Sequence, residues 1–190
     1  MANDFKLRNN VRILAADMSK MAKQELQGLL RHPDRRIRQK AQFALVDQEA
    51  ADALEAAATS RASRTARLHG IWGLGTLARD GKHNTKKLVS LLKDDDADVR
   101  AMSARMLGDT QDAKYVDALR NRLTDDNSRV KREAALGLAH LGHKSTRATE
   151  SLFAMLRHND DRDLVIRHAG VFALSAVARR QELVARMQDE

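Results

Sequence analysis

The stretch DADVRAMSARMLG, residues 96–108, decides the fold. It opens on Asp96, places the apolar Val99 three residues later, follows it with Arg100, and returns to small or apolar side chains at Ser103, Met106 and Leu107. Counted from Val99 as an anchor, these positions are 0, 4, 7 and 8, which share one face of a helix turning ~3.6 residues per turn. An Asp three residues before the anchor is a preferred N-cap, whose side-chain oxygen accepts an orphan backbone N–H at the helix start. The string therefore predicts a capped helix with one buried stripe and a small residue in the middle of that stripe.

The same pattern occurs four more times without gaps: IRQKAQFALV from Ile37, ARLHGIWGLG from Ala66, VKREAALGLA from Val130 and IRHAGVFALS from Ile166. The anchors lie 29, 33, 31 and 36 residues apart, a period that belongs to solenoids of helical pairs. Eight past each anchor stands Leu (Leu45, Leu74, Leu107, Leu138, Leu174), and four past it a small residue (Ala41, Gly70, Ser103, Ala134, Gly170). Three before each anchor stand Asp34, Ser63, Asp96, Asn127 and Asp163, all good caps. The residue after each anchor is a base, namely Arg38, Arg67, Arg100, Lys131 and Arg167, expected to form a ladder with the acids of the turns. Glycines at Gly70, Gly73, Gly137 and Gly170 each cost a helix about 1 kcal/mol relative to Ala, which close packing against a neighbour would explain.

Upstream of every capped helix lies a second apolar segment: Met21 to Leu30, Ala50 to Ala58, Thr85 to Leu92, Tyr115 to Leu123 and Thr149 to Leu156. The unit reads as helix A, tight turn, helix B. The expectation is an all-α fold, a right-handed α-solenoid of about five to six hairpins forming one domain over residues 1–190. Its repeats are placed at about 21–48, 49–81, 84–110, 113–143 and 145–180, with a partial unit at 1–20 and a partial terminal helix at 181–190. Asp4, Leu7 and Arg8 fit the cap, anchor and basic columns, with Val11 and Leu14 continuing the stripe, so the chain opens on a lone B-type helix. Neither end carries a polar capping repeat, which suggests a segment of a longer protein.

These paired helices, the period of about 31 residues and the D-x-x-V-R turn at Asp96, Val99 and Arg100 resemble HEAT repeats, particularly the short bacterial kind also found in phycobilisome-lyase proteins. The resemblance spans residues 20–180 and implies a scaffold, an adaptor, a lyase-type subunit handling a bilin, or a nucleic-acid binder. ARLHGIWGLGTLAR (66–79), VRAMSARMLGD (99–109) and DLVIRHAGVFAL (163–174) are similar to the HEAT segment of large planctomycete-type proteins that join a sugar-dehydrogenase-like propeller, HEAT repeats and a haem-binding cytochrome module. That likeness implies an exported redox parent with this segment as spacer or docking arm. No Cys-x-x-Cys-His is present here, so neither haem binding nor dehydrogenase chemistry carries over to any residue.

Composition excludes several classes. The absence of Cys rules out disulfides, thiolate zinc sites and a Cys nucleophile within this sequence. Apolar residues reach 43 % but arrive as Ala and Leu, with 3 % aromatic, which disfavours an all-β fold. No window approaches the ~18 apolar residues of a membrane span, and MANDFKLRNN lacks the apolar run of a signal peptide. A soluble chain without membrane contact is expected, cytoplasmic unless it derives from the exported parent.

Candidate chemistry is sparse. Acids cluster at Asp94, Asp95, Asp96 and Asp98, at Asp125 and Asp126, and at Asp160, Asp161 and Asp163. They could hold a hard cation, but their recurrence in phase with the helix starts favours capping. His140 and His143 are three apart with the helix end expected at Gly142 between them, and His69 and His168 fall in different columns. No G-x-S-x-G, P-loop or H-E-x-x-H occurs. No catalytic residue, metal ligand or cofactor is therefore expected. Trp72 and Phe172 share a column with Phe43 and Leu136 and are read as core.

The columns two and three past the anchor are expected to face a partner along the concave side: Gln39, Lys40, His69, Arg132, Glu133 and His168, with Leu68, Ala101, Met102 and Ala169 among them. Their mixed character suits a folded protein or a neighbouring domain. The net charge of +8 supplies the alternative, a nucleic-acid binder.

Overall fold

The computed structural model describes residues 2–188, with side chains placed for residues 7–186. Among them are twelve α-helices, two 3-10 turns and no strand. The chain divides into two compact units, residues 1–84 and 85–190.

The first unit holds α1 (Ala2–Ala15) and two hairpins: α2 (Lys23–Leu29) with α3 (Arg35–Asp47), and α4 (Ala51–Thr59) with α5 (Arg64–Arg79). The second holds three: α6 (Lys86–Leu91) with α7 (Ala97–Asp109), α8 (Val116–Arg120) with α9 (Ser128–Leu141), and α10 (Thr146–Asn159) with α11 (Leu164–Val177). These are followed by α12 (Arg180–Gln188). In each hairpin the first member is the A helix and the second the B helix.

Every B helix starts on its polar cap. Asp34 Oδ1 accepts from the Arg36 N–H at 2.9 Å, Ser63 Oγ from Ala66 at 3.2 Å, and Asp96 Oδ1 from Asp98 at 2.9 Å. Asn127 Oδ1 accepts from Arg129 and Val130, and Asp163 Oδ1 from Val165 and Ile166. Four of the five A helices have nine residues or fewer, too short to persist alone in water. They are held by burial: each seats one Leu in the core, and Leu26, Leu54, Leu88, Leu119 and Leu152 are all at most 1 % exposed.

The B-helix stripe forms the other wall of the core. The five anchors and the five Leu eight residues on are buried, the most exposed of the ten being Leu174 at 7 %. Small residues set the spacing. A Cβ on Gly70 would lie 2.6 Å from both the Leu54 carbonyl oxygen and the Ala58 nitrogen of α4, and a Cβ on Gly108 would lie 2.4 Å from the Gly137 Cα. At these crossings backbone meets backbone, and only glycine fits.

Two readings of the sequence need correcting. The column six past the anchor is not core: Phe43 is 48 % exposed, Trp72 38 % and Phe172 47 %. At 100° per residue this column stands about 240° round from the anchor, far from a stripe centred near 20°, so apolar character misstated its direction. In α1, Leu7 and Val11 are exposed rather than packed, because the hold on α1 comes from elsewhere: Lys40 Nζ donates to the carbonyls of Leu14 and Ala16, both at 2.7 Å. The helix also begins at Ala2, ahead of Asp4, whose capping side chain lies outside the described residues. No described helix is long and apolar enough to cross a membrane.

Candidate interaction surface

In each unit the B helices leave a face uncovered, centred on the column six past the anchor and flanked by the columns two and ten past it, one helical turn to either side. In the first unit it carries Gln39, Phe43 and Asp47 on α3 and Leu68, Trp72 and Thr76 on α5. In the second it carries Arg105 and Asp109 on α7, Arg132, Leu136 and His140 on α9, and His168 and Phe172 on α11. A cleft of about 200 Å³ opens on this face over the Gly108–Gly137 crossing, lined by Arg105, Arg132, Glu133, Leu136, Gly137 and His140.

The residues read from sequence as the partner surface are divided between this face and the seams. Gln39 and Arg132 are half-buried at its edge and His168 is exposed. Lys40 is committed to the end of α1, and Glu133 is 6 % exposed and paired with Arg132, whose Nε donates to it at 3.1 Å. His69 lies in a seam between neighbouring B helices. Its Nε2 accepts from Arg38 Nε at 3.2 Å, so Nδ1 carries the proton and donates to Gln42 Oε1 at 2.7 Å. Gln42 itself is 1 % exposed. The third column of one B helix thus interlocks with the fifth column of the one before it. Burial, with the Arg38 and Arg35 charges adding to it, pushes the His69 imidazole down to about 4. The neutral ring stacks on Trp72, centroids 6.3 Å apart and planes at 22°, and so backs one of the exposed aromatics.

The capping and ladder residues are engaged to different degrees. Arg38 Nη1 donates to the carbonyls of His32 and Pro33, both at 2.8 Å. Arg100 does the same to Asp94 and Asp95 and reaches across to the next turn, where Nε and Nη2 hold both oxygens of Asp125 at 2.9 and 2.8 Å. Burial raises the Asp125 carboxyl, but the Arg100 donors and the Asn127 N–H outweigh it and hold the group below the usual carboxylate range. Asp34, tied to Arg36, is also held low. Arg167 meets Asp161 at 3.4 Å, while Lys131 forms no hydrogen bond or ion pair among the described residues. Gly142, left-handed at φ 59°, ends α9 ahead of His143. Among the described residues no three His, Asp or Glu side chains converge as a metal site.

Sequence reasoning missed the exposure of the aromatic column, although the helical angle of that column carries the signal. It also missed the seam, which links columns of two helices and is invisible in one.

Helical hairpins packed in this way within each unit give the chain a helical-repeat fold of the armadillo/HEAT kind. Residues 85–175 match the family model for HEAT repeats. No curated protein sequence matches the chain. Among solved structures, an engineered protein superposes with a TM-score of 0.57 at 24 % identity over 89 % of each chain. A designed armadillo repeat protein in complex with the peptide (KR)4 gives 0.54 at 16 % over 90 % of each. Human deoxyhypusine hydroxylase in complex with glycerol gives 0.51 at 18 %, over 81 % of this chain and 61 % of that one. At these identities the likeness concerns the fold, so function has to be argued from this protein's own surface.

Proposed function

We propose that the protein is a non-catalytic scaffold that binds a segment of a protein partner on the open face of its B helices. One observation carries the reading: Phe43 and Trp72, on the two B helices of the first unit, and Phe172, on the last B helix of the second, are large apolar side chains exposed at the same column of their repeats, with polar side chains such as Gln39, Asp47, Thr76 and His168 among those a turn away. Aromatic anchors ringed by polar groups are the usual energetic centre of a protein interface. The designed armadillo protein, of the same fold, was solved with a peptide bound, which supports this use of the architecture. Here the net charge of +8 disfavours a basic peptide such as (KR)4, and a neutral or acidic segment with apolar residues suits the face better.

Panning a displayed random-peptide library against the protein tests the proposal. The expected binders lose about tenfold or more in affinity to the double variant Phe43→Ser/Trp72→Ser or to Phe172→Ser, with thermal melting unchanged. Binders indifferent to all three positions would overturn it.

A second reading, binding to nucleic acid, is favoured by the placement of charge. Residues 1–84 hold 15 Lys+Arg against 9 Asp+Glu, whereas residues 85–190 hold 19 against 17. Affinity for random duplex tighter than roughly micromolar at physiological salt, falling steeply as salt is added, would put this reading first.

A further inference from the structure

The basic column hides an exception. At three of its five positions the base holds main-chain carbonyls: Arg38 those of His32 and Pro33, Arg67 that of Ala58 at 2.9 Å, Arg100 those of Asp94 and Asp95. Arg167 meets a carboxylate. Lys131, half-buried on α9, holds nothing among the described residues.

Geometry explains why. The turn between α8 and α9 offers Asp125 and Asp126 to Arg100 of the preceding repeat, and both accept. Counted from the anchor Ile166, the positions equivalent to Asp125 and Asp126 are Asp161 and Arg162, so the turn between α10 and α11 should offer Lys131 one carboxylate, that of Asp161. Instead α10 runs to Asn159, and Asp160 and Asp161 both adopt left-handed backbone, at φ 46° and 54°. Asn159 locks this shape by donating to the Asp163 carbonyl at 3.0 Å and accepting from its N–H at 3.2 Å. The two carboxylates then face Arg162 and Arg167, and the ammonium of Lys131 is left beside an open groove.

That groove is substantial. One part, about 440 Å³, is lined by residues including Leu123, Ala154, Met155 and His158, and an adjoining part, about 250 Å³, by residues including Arg162 and Ile166. Lys131, Met155 and His158 line both. The larger part falls in the ~300–1,000 Å³ range of clefts that hold small ligands. Its floor is apolar, with Leu123, Met155 and Ile166 at 1, 6 and 3 % exposure.

We propose that this groove binds an amphiphilic monocarboxylate, its carboxylate on Lys131 and its hydrocarbon body on Leu123 and Met155. A partly desolvated ammonium without a counter-charge gains from a charge-assisted hydrogen bond. Asp125 and Asp126 line the same groove, but both oxygens of Asp125 are taken by Arg100, by Arg122 at 3.5 Å and by the Asn127 N–H at 3.1 Å, while Asp126 gives one oxygen to Arg100 and turns a 90 % exposed side chain to solvent. Arg162, which also lines the groove, is engaged by Asp160 at 3.6 Å, so with those acids and Asp163 around the rim Lys131 balances a single negative charge and disfavours a dianion such as phosphate. The chemistry fits equally the C-terminal residue of a peptide or a free aliphatic acid.

The full chain labelled with ¹³C at the methionine methyls gives the test, the Met155 signal being assigned with Met155→Leu. N-acetyl-alanyl-leucine with a free C-terminus is the first probe, its C-terminal amide the second and hexanoate the third. The expected result is a saturable shift of the Met155 methyl by the free acid at or below roughly 10 mM, with the amide about tenfold weaker. Lys131→Gln should lose the same factor and Lys131→Arg should keep binding. Hexanoate shifting the signal as well as the peptide does would assign the source to free acids, and a weaker shift would assign it to peptide ends. Equal binding of acid and amide, indifference to Lys131→Gln, or no saturable shift of Met155 by either carboxylate would overturn the proposal.

Discussion

Two side chains show how single residues fasten one repeat to the next, and each fails in its own way. The guanidinium of Arg100 is 11 % exposed and the Asp125 carboxylate 4 %. Removing the base leaves the buried Asp125 charge with the Asn127 N–H at 3.1 Å and Arg122 at 3.5 Å. Arg100→Ala is expected to cost about 3 kcal/mol at neutral pH, the scale for breaking a buried pair. Because Asp125 is held below its ordinary value, its contribution is present above the unfolded carboxyl pKa of about 3.9 and fades as pH falls through the lower folded value. Chemical denaturation at neutral pH and at acid pH should therefore show the gap between wild type and Arg100→Ala narrowing in acid. His69 responds to acid by a different route. Its folded value near 4 lies below the unfolded 6.5, so the unfolded chain binds the proton first. The stability it contributes is whole above 6.5 and drains away as pH falls toward 4. Protonation also removes the acceptor that Arg38 uses and frees the ring stacked on Trp72. As Trp72 is the single tryptophan, its fluorescence should change with a midpoint near 4. In His69→Gln that transition should vanish, and a midpoint near 6.5 in wild type would contradict the burial of the ring beside Arg38.

At the scale of elements, the period was legible and the direction was not. Five caps, five anchors and five leucines repeat in the sequence and occupy equivalent places in the fold, because capping and stripe packing act within one helix and leave their mark at fixed offsets. The open face was misread: Phe43, Trp72 and Phe172 look like core by residue type, and the choice between wall and surface rests on the helical angle. Nor could the Lys131 groove be read, since it depends on two Asp residues adopting left-handed backbone, a conformation no spacing announces. The close crossings, half visible as glycine columns, make a paired prediction. Gly108→Ala drives a Cβ to 2.4 Å from the Gly137 Cα, where backbone can yield only by separating α7 from α9. The loss should be about 2 kcal/mol even after the helix-propensity gain. Gly28→Ala on α2 meets nothing within 4 Å and should instead stabilise by about 0.5–1 kcal/mol. Denaturant midpoints of the two variants should move in opposite directions.

For the whole molecule, the pattern of fastening decides how damage spreads. The Arg38–His69–Gln42 chain joins α3 to α5 within the first unit, and the Arg100–Asp125 pair joins α7, the first B helix of residues 85–190, to the turn that precedes α9, the second. Each link spans one repeat junction and no more, and in such arrays stability is close to a sum of repeat terms and nearest-neighbour terms. A lesion in one compact unit should then open that unit without opening the other. Native-state hydrogen exchange reads this directly, because amides report the free energy of the smallest opening that exposes them. In Gly108→Ala the protected amides of α7 and α9 should exchange faster by about 30-fold, the factor that corresponds to about 2 kcal/mol, while those of α3 and α5 keep their rates within about twofold. Trp72 fluorescence, which reports the first unit, should keep its denaturant midpoint in the same variant. An equal acceleration in α3, α5, α7 and α9 would mean that the 190 residues unfold together and that cooperativity is not confined to neighbouring repeats.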